Sequence, residues 1–394
     1  MKGSLYLIPL LAAFIITACS KDSDPVLTDT QEVAVLKIET ENKVAITSKT
    51  LFTEASITIE GQGRTVNEKI KIRGRGNSTW GMPKKPYKIE FGSKYGLLGL
   101  APSKEWVLLA NYLDGSLMLN AVSFKIGELL QMPFSNHAVP VDLWLNDSYE
   151  GNYMLTEQIE VKENRVDIGD DGLLISLDQV IDDDDQYFYS AIFGLPVIVK
   201  DPKNLTTAQM TTIEAEFTAL ENAIADPDFP NNGYGQLLDI DAMADYLLAQ
   251  LLTGNEEINH PKSTYMFKSR NGKYTMGPLW DFDWAYSFEE GQGHFSNPDR
   301  PLFWEGDATG NRFFKKIYSD PAVRSAMAQK WQQFKAGPYA TLLQYIEDYA
   351  ANIRESRAAD HALWQTGNPN FDLERENLKN WFARRSLYLD RTLL

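Results

Sequence analysis

The alternation of apolar and polar positions predicts strands through most of the first half of the chain. Period-two alternation or a short apolar run marks strands at residues 55–60, 69–73, 86–91, 106–110, 139–145, 149–157, 173–177 and 197–200. Asn146-Asp147 lies between two of these strands and predicts a hairpin turn. One helix interrupts the strands, from an N-cap at Asp114 to about Leu130. The acidic run at 182–185 predicts a solvated loop.

Apolar residues at helical spacing dominate the second half. They recur along residues 210–224 and 243–251, and three or four further helices are expected between 311 and 394. A strand pair at 263–268 and 273–277 lies between these helical regions. We therefore expect an α+β fold in one continuous domain over residues 32–394. Its strand-rich lobe covers about 32–200 and its helix-rich lobe about 201–394.

The N-terminal segment has the pattern of a lipoprotein signal. After a short basic start, apolar residues cover 5–16, and Ile16-Thr17-Ala18 then precedes Cys19. The apolar run is shorter than the roughly 20 residues needed to span a bilayer. We expect residues 1–18 to be a signal peptide, Cys19 to be acylated and residues 19–31 to form a flexible tether. The alternative is a cleaved secretory signal with an incidental cysteine.

This signal places the protein on the periplasmic or cell-surface side of a bacterial membrane, attached through its lipid anchor only. Cys19 is the one cysteine of the sequence, so no disulfide can form within the chain. The acidic residues that follow Cys19 resemble the surface-export signals of Bacteroidetes-type lipoproteins. The net charge of −16 argues against nucleic acid as a partner and against a basic lipid-binding face.

A glycine-arginine segment, RGRGNST, follows the second predicted strand. Arg73 and Arg75 are two residues apart on a strand-like run and should project from one face. The interleaved glycines allow close approach of a ligand to the backbone, Ser78 and Thr79 add hydroxyl donors, and Asn77 is a further candidate in the same turn. Together these groups suit phosphate oxygens, which arginine binds with a two-pronged fork. The alternative is a tight turn with solvated arginines.

Two charged residues at strand positions predict an ion pair. Lys88 lies within an alternating strand, and Glu157 ends another. A buried lysine and a buried glutamate stabilise each other, because either charge alone is costly to remove from water. We therefore expect the charged groups of Lys88 and Glu157 to lie within about 4 Å of each other or to share a ligand. The alternative for Lys88 is a strand lysine facing water.

The segment WDFDW places two carboxylates between bulky aromatic residues. Asp281 and Asp283 are costly to bring together unless a cation neutralises them, so a metal site is predicted there. The alternative is a turn in which the aspartates cap backbone groups. Glu257, in the polar stretch after a predicted helix, is a candidate catalytic base.

Several blocks, in order, resemble the spore coat protein H (CotH) family of atypical secreted kinases. They are RGRGNSTW, KKPYKIEF, LLANYLDGSLMLNAVSFKIGELL, YEGNYMLTEQI and GPLWDFDWA. The resemblance implies an abbreviated protein-kinase-like fold that transfers the γ-phosphate of ATP to serine or threonine of exported proteins. It further implies that Lys88 contacts phosphates, Glu157 pairs with Lys88, and Asp281 holds Mg²⁺.

One departure from the family pattern concerns the catalytic base. The family has an aspartate before its Asp-Phe-Asp block, often followed by an asparagine. Here Glu257 aligns with the aspartate, and Lys262 or Ser263 falls at the asparagine position. The competing interpretation is therefore an inactive relative that binds a protein or glycan. A glycosidase using Asp281 with Asp283 or Glu257 is a third possibility, although paired glycosidase acids normally come from different strands.

Overall fold

The computed structural model describes residues 33–61, 63–304 and 306–394 of the 394-residue chain. The predicted signal peptide, Cys19 and the tether lie outside the described residues. The described residues form one compact unit. Within the described ranges, no helix is both long enough and apolar enough to cross a membrane.

Seven strands of the N-terminal part close into a barrel, in the order β1-β2-β3-β4-β5-β7-β6. The strand β6 pairs with β1 in parallel, and the other neighbours are antiparallel. Alternate residues of these strands fill the interior, including Leu36, Ile72, Ile89 and Trp106. The strands are β1 Ala34–Thr40, β2 Thr53–Gly61, β3 Arg64–Gly74, β4 Tyr87–Tyr95, β5 Ser103–Leu109, β6 Val139–Leu145 and β7 Ser148–Glu157.

A second, five-stranded antiparallel sheet has the order β12-β11-β8-β10-β9. Its strands come from both halves of the sequence, since β11 and β12 follow the third helix. Every residue of β8, at the centre of the sheet, is buried. The strands are β8 Leu173–Leu177, β9 Gln186–Tyr189, β10 Pro196–Asp201, β11 Thr264–Lys268 and β12 Thr275–Met276.

Helices make up most of the C-terminal part, and one short helix lies between β5 and β6. Residues 242–253 of the third helix are all buried, so this helix forms the centre of the main hydrophobic core. Side chains of Thr206 and Asp239 cap the second and third helices. The helices are α1 Leu119–Leu129, α2 Thr207–Ala225, α3 Ile240–Thr253, α4 Thr309–Tyr318, α5 Pro321–Ala336, α6 Pro338–Trp364 and α7 Phe371–Leu393.

The predicted strands and helices are confirmed, as is the order of a strand-rich part followed by a helical part. The hairpin at Asn146 and Asp147 is also confirmed, with φ of 50° and 66° as a two-residue turn of this kind requires. Residues 182–184 form an exposed loop, as predicted. A closed barrel of seven strands is not specific to kinases, so the kinase-like fold stays a prediction.

The predicted start of the first helix was wrong. Asp114 is not its N-cap, because α1 begins at Leu119. The Asp114 carboxylate instead accepts hydrogen bonds from the backbone N–H groups of Ser116 and Leu119, both at 2.8 Å. Asp114 therefore closes the loop before the helix, and the loop holds the end of β5 close to the first turn of α1.

Candidate active site

The Asp281–Asp283 segment is attached to α1 by a single side chain. Asn120, in the first turn of α1, accepts a 2.8 Å hydrogen bond from the backbone N–H of Phe282. Its amide group donates a 2.7 Å bond to Asp283 Oδ1 and a 3.0 Å bond to Asn111 Oδ1. The Phe282 side chain is fully buried, which anchors the segment between the two carboxylates. Asn120 thus fixes the position of Asp283 and of the backbone between the two aspartates.

The two aspartates have raised pKa values. Asp283 is 8% exposed, and burial together with the negative charge of Asp281 raises its pKa to about 7. Burial also raises the pKa of Asp281, although the Arg75 guanidinium and the Ser263 hydroxyl oppose this. Asp281 has φ of 63° and is half-buried, whereas Asp283 is buried. Asp281 is therefore the more exposed of the two aspartates.

Glu257 lies on a short helical turn directly after α3 and faces the same group of charges. Its backbone N–H donates a 3.2 Å bond to Asn255 Oδ1, which fixes the start of the turn. The residue is 8% exposed, and burial followed by the charge of Asp281 raises its pKa well above the usual range. The structure thus places Glu257 near the two aspartates, as the predicted role of a base requires.

Two cations face these carboxylates. The Arg75 guanidinium lies 5.3 Å from the centroid of the Trp280 ring, and the charge of Asp281 partly offsets the lowering of its pKa by burial. Lys262 Nζ lies 3.8 Å from Glu257 Oε1 and 4.8 Å from the centroid of the Trp284 ring. The chain therefore brings the end of β3 and the loop after α3 to one place.

The other residues of the glycine-arginine segment have their direct contacts outside this group of charges. Arg73 is directly opposite Lys88 in the β3–β4 ladder, and its guanidinium is 5.1 Å from the Phe52 ring. Arg73 is still close enough to Arg75 for its charge to help lower the pKa of Arg75. Asn77 and Ser78 are exposed, and Asn77 accepts a 3.2 Å hydrogen bond from Lys49.

The predicted pair of Lys88 and Glu157 was wrong. Lys88 Nζ instead donates a 2.8 Å hydrogen bond to Glu105 Oε2, and its side chain is only 13% exposed. Glu157 accepts a 2.8 Å bond from the backbone N–H of His137, and its Oε1 lies 2.6 Å from His137 Nδ1. Arg165 Nη1 is a further neighbour of Glu157, at 3.8 Å.

The register of the barrel explains this error. Lys88 lies opposite Val107 in β5, whereas Glu157 lies opposite Trp106. Consecutive residues of a strand point to opposite faces of the sheet. Trp106 belongs to the core inside the barrel and Val107 to the core outside it. Lys88 and Glu157 therefore project from opposite faces of the barrel wall and cannot meet.

Three residues of the site were missed by reasoning from the sequence. Glu105 was overlooked because the predicted strand began one residue later, at Trp106. Asn120 occupies a helix position with no local signal for function. Asp178 follows β8 and accepts a 3.0 Å hydrogen bond from the backbone N–H of Ser263. For Glu105 a usable signal existed, since a lysine and a glutamate in adjacent strands of a hairpin often form a cross-strand pair.

The carboxylates fit a magnesium ion that is bound together with phosphate. No group of three or more His, Cys, Asp or Glu with a metal-binding arrangement occurs among the described residues. Magnesium, however, is usually bound by one or two protein carboxylates, and the remaining ligands are water and phosphate oxygens. Asp281, with Asp283 beside it, provides such a set. Burial and the charge of Asp281 raise the pKa values of Asp178, Glu257 and Asp283, so these carboxyl groups form one cluster in which a bound cation would favour the ionised forms.

Comparison with known families gives a match over most of the chain. A family model described as CotH kinase protein matches residues 72–389. The match runs from β3 to α7 and includes all the charged residues of the site described above. No protein with a curated description matches the chain.

Proposed function

Since the chain belongs to the CotH kinase protein family, we propose that it transfers the γ-phosphate of ATP, with Mg²⁺, to serine or threonine hydroxyls of exported proteins. The observation that carries this proposal is the position of Arg75 beside Trp280 and Asp281. A guanidinium suited to phosphate thereby lies next to a carboxylate suited to magnesium. In this proposal, as in kinases, residues of the barrel contact the phosphates, and residues of the helical part provide the carboxylates for the metal and the base.

On the barrel side, Arg75, Arg73 and Lys88 are the groups we assign to the phosphates. Glu105 holds the Lys88 ammonium on the outer face of the barrel, in the role first expected of Glu157. A lysine that contacts phosphates and is oriented by a glutamate is a recurring part of kinase sites. Asn77 and Ser78 lie on an exposed turn. Their proposed role in phosphate binding requires this turn to fold over the ligand.

On the carboxylate side, Asp281 and Asp283 would hold the metal, which would supply positive charge against the phosphates. Asn120 orients Asp283. Glu257 would accept the proton of the acceptor hydroxyl, and the positive charge of a metal ion at the aspartates would lower its raised pKa and favour the ionised form. Lys262, at 3.8 Å, favours the ionised form that a base requires.

The site of action follows from the N-terminal pattern. We propose that acylated Cys19 anchors the domain outside the cytoplasm, in the manner of Bacteroidetes-type surface lipoproteins. The protein substrate would then be another exported chain with accessible serine or threonine, and the membrane would be contacted through the lipid alone.

The proposal is tested by two measurements on the domain without its signal peptide. The first is whether ATP raises the melting temperature in the presence of Mg²⁺ but not in its absence. The second is whether γ-labelled phosphate appears on an exported acceptor protein. An absence of Mg²⁺-dependent stabilisation by millimolar ATP would exclude the kinase proposal and favour the inactive, binding relative. Stabilisation without transfer to any acceptor would support nucleotide binding alone.

A further inference from the structure

Lys262 lies five residues after the candidate base Glu257, and the same spacing separates the catalytic aspartate from a metal-binding asparagine in protein kinases. In those enzymes, the catalytic aspartate is followed five residues later by an asparagine that binds the second of two magnesium ions. Here the candidate base is Glu257, and the residue five positions later is Lys262. A lysine cannot bind a magnesium ion while it carries a proton, because its ammonium group has no lone pair to offer.

The backbone around Lys262 is held firmly in place. The His260 N–H donates to Glu257 O at 3.1 Å, and the N–H of Gln179 donates to Pro261 O at 3.1 Å. On the other side, the N–H of Ser263 donates to Asp178 Oδ2 at 3.0 Å. Both neighbours of Lys262 are therefore hydrogen-bonded to the loop after β8, and these bonds fix the position of the Lys262 backbone.

The Lys262 side chain is directed towards the cluster of carboxyl groups formed by Asp178, Glu257, Asp281 and Asp283. Its Nζ lies 3.8 Å from Glu257 Oε1, and the ring of Trp284 lies against it at 4.8 Å. Trp284 directly follows Asp283, so the aromatic contact fixes the ammonium beside the aspartate segment. The side chain is about one third exposed, which leaves the ammonium accessible to an incoming ligand.

The charge of Lys262 acts on the carboxyl groups of the proposed metal site. It opposes the effect of burial on the pKa values of both Glu257 and Asp281. A positive charge at this place repels a second divalent cation. Asparagine in place of Lys262 would remove the repulsion and provide an amide oxygen that can bind a metal ion.

From this geometry we infer that the ammonium group of Lys262 takes the place of a second metal ion, so that the site binds nucleotide with one divalent cation. The inference rests on the proposed function, since it assumes that a metal–nucleotide complex binds at Asp281. Lys262 supplies a positive charge to the phosphates, as lysine does in other phosphate sites. It also limits the negative charge around Glu257.

The experiment counts manganese ions, which replace magnesium and are visible by electron paramagnetic resonance. The domain is mixed with an equimolar amount of a non-hydrolysable ATP analogue and titrated with Mn²⁺. Wild type is expected to bind one Mn²⁺ per chain. Lys262→Asn, which restores the kinase ligand, is expected to bind two, with the spectral broadening of ions about 4 Å apart. Lys262→Met removes the charge without adding a ligand, and should keep one ion while binding the analogue about tenfold more weakly.

Lys268→Asn is the matched control. Lys268 also pairs with a glutamate, Glu216 at 3.1 Å, and also lies against an aromatic ring, that of Tyr274 at 5.2 Å. Lys268 lies outside the cluster of carboxyl groups around Lys262, so its substitution should leave one Mn²⁺ per chain. Melting curves of all the variants identify any that fail to fold, and Lys262→Arg, which keeps the charge, should bind the analogue with near wild-type affinity.

Two results would overturn the inference, and they differ in what they say about the proposed function. Two Mn²⁺ ions per wild-type chain would refute the role of Lys262 and leave a nucleotide-binding enzyme intact. A single ion in Lys262→Asn, together with unchanged analogue affinity in Lys262→Met, would do the same. If wild type bound neither Mn²⁺ nor the analogue, the proposed function itself would fail, and the inference with it.

Discussion

Asn120 and Asp283, which are 163 residues apart in the chain, are joined by a 2.7 Å hydrogen bond from the Asn120 amide to Asp283 Oδ1. Asn120 also accepts a bond from the backbone N–H of Phe282. One side chain in α1 thus orients a carboxylate and fixes the backbone next to it. Because all three groups are buried, loss of Asn120 leaves both a donor and a charged acceptor without partners.

We predict that Asn120→Ala lowers the free energy of unfolding by about 2–3 kcal/mol, the usual cost of leaving buried polar groups unpaired. Urea unfolding measures this loss. Asn77→Ala is the control, since Asn77 is exposed and should change stability by less than about 0.5 kcal/mol. A similar effect of both substitutions would contradict the role given to Asn120.

The ion pair on the outer face of the barrel predicts a difference between two glutamates. Glu105→Gln should weaken the binding of ATP about tenfold, because Lys88 loses the group that orients it. Glu157→Gln should leave ATP affinity unchanged, since Glu157 projects from the opposite face. The measurement is the ATP-dependent shift in melting temperature at constant Mg²⁺. Equal effects of the two substitutions would reject the assignment of Glu105.

Substitutions of Asp281 and Glu257 should affect different steps, nucleotide binding in the first case and phosphate transfer in the second. Asp281→Ala removes the more exposed of the two carboxylates proposed for the metal, so stabilisation by Mg²⁺ and ATP should be largely lost. In wild type this stabilisation is expected to reach about 2.7 kcal/mol at one hundred times the dissociation constant. Glu257→Gln keeps the shape of the side chain but cannot accept a proton, so ATP should still bind while transfer slows by roughly 10²–10⁴-fold.

The pair of His137 and Glu157 predicts a dependence of stability on pH. Hydrogen bonding to Glu157 raises the pKa of His137, and despite opposing burial His137 lowers the pKa of Glu157. The raised histidine stabilises the fold below its unfolded pKa of about 6.5, and this is lost as pH rises through the folded value. The lowered glutamate stabilises the fold above about pH 4.5, and this is lost as pH falls through its folded value.

Wild type should therefore exceed Glu157→Gln in stability most clearly near pH 6, and the difference should narrow towards pH 9. Urea midpoints of the two proteins across this range provide the measurement. In a protein that also carries His137→Asn, the effect of Glu157→Gln on stability should be smaller, because the partner that titrates has been removed. A difference that stayed constant from about pH 6 to pH 9 would argue against an ion pair.

The proposed lipid anchor gives a prediction about where the protein is found in the cell. Cys19→Ala should produce a protein without an acyl chain that no longer sediments with membranes. Fractionation after a high-salt wash measures this, with Cys19→Ser as a second variant that also cannot form the thioether. Retention of both variants in the membrane fraction would reject the lipoprotein assignment.

Much of this molecule was readable from the sequence because the signals are local. Alternation within β4 indicated that Lys88 lies on the opposite face from Tyr87 and Ile89, and helical spacing located α2 and α3. The aspartates at 281 and 283 were conspicuous because two carboxylates between tryptophans are costly without a partner. The order of strands before helices was likewise determined by local periodicity.

The tertiary structure alone decided which of these residues meet. Alternation assigns each residue to one face of its own strand. The register between strands then decides which side chains of neighbouring strands are close together, and in this register Lys88 pairs with Glu105. Closure of the barrel by the parallel pairing of β1 with β6 depends on contacts between residues about 100 positions apart. The approach of Asn120 to Asp283 depends on the packing of α1 in the main core. Such contacts leave no periodic trace in the sequence, because their free energy depends on distance in space and not on position along the chain.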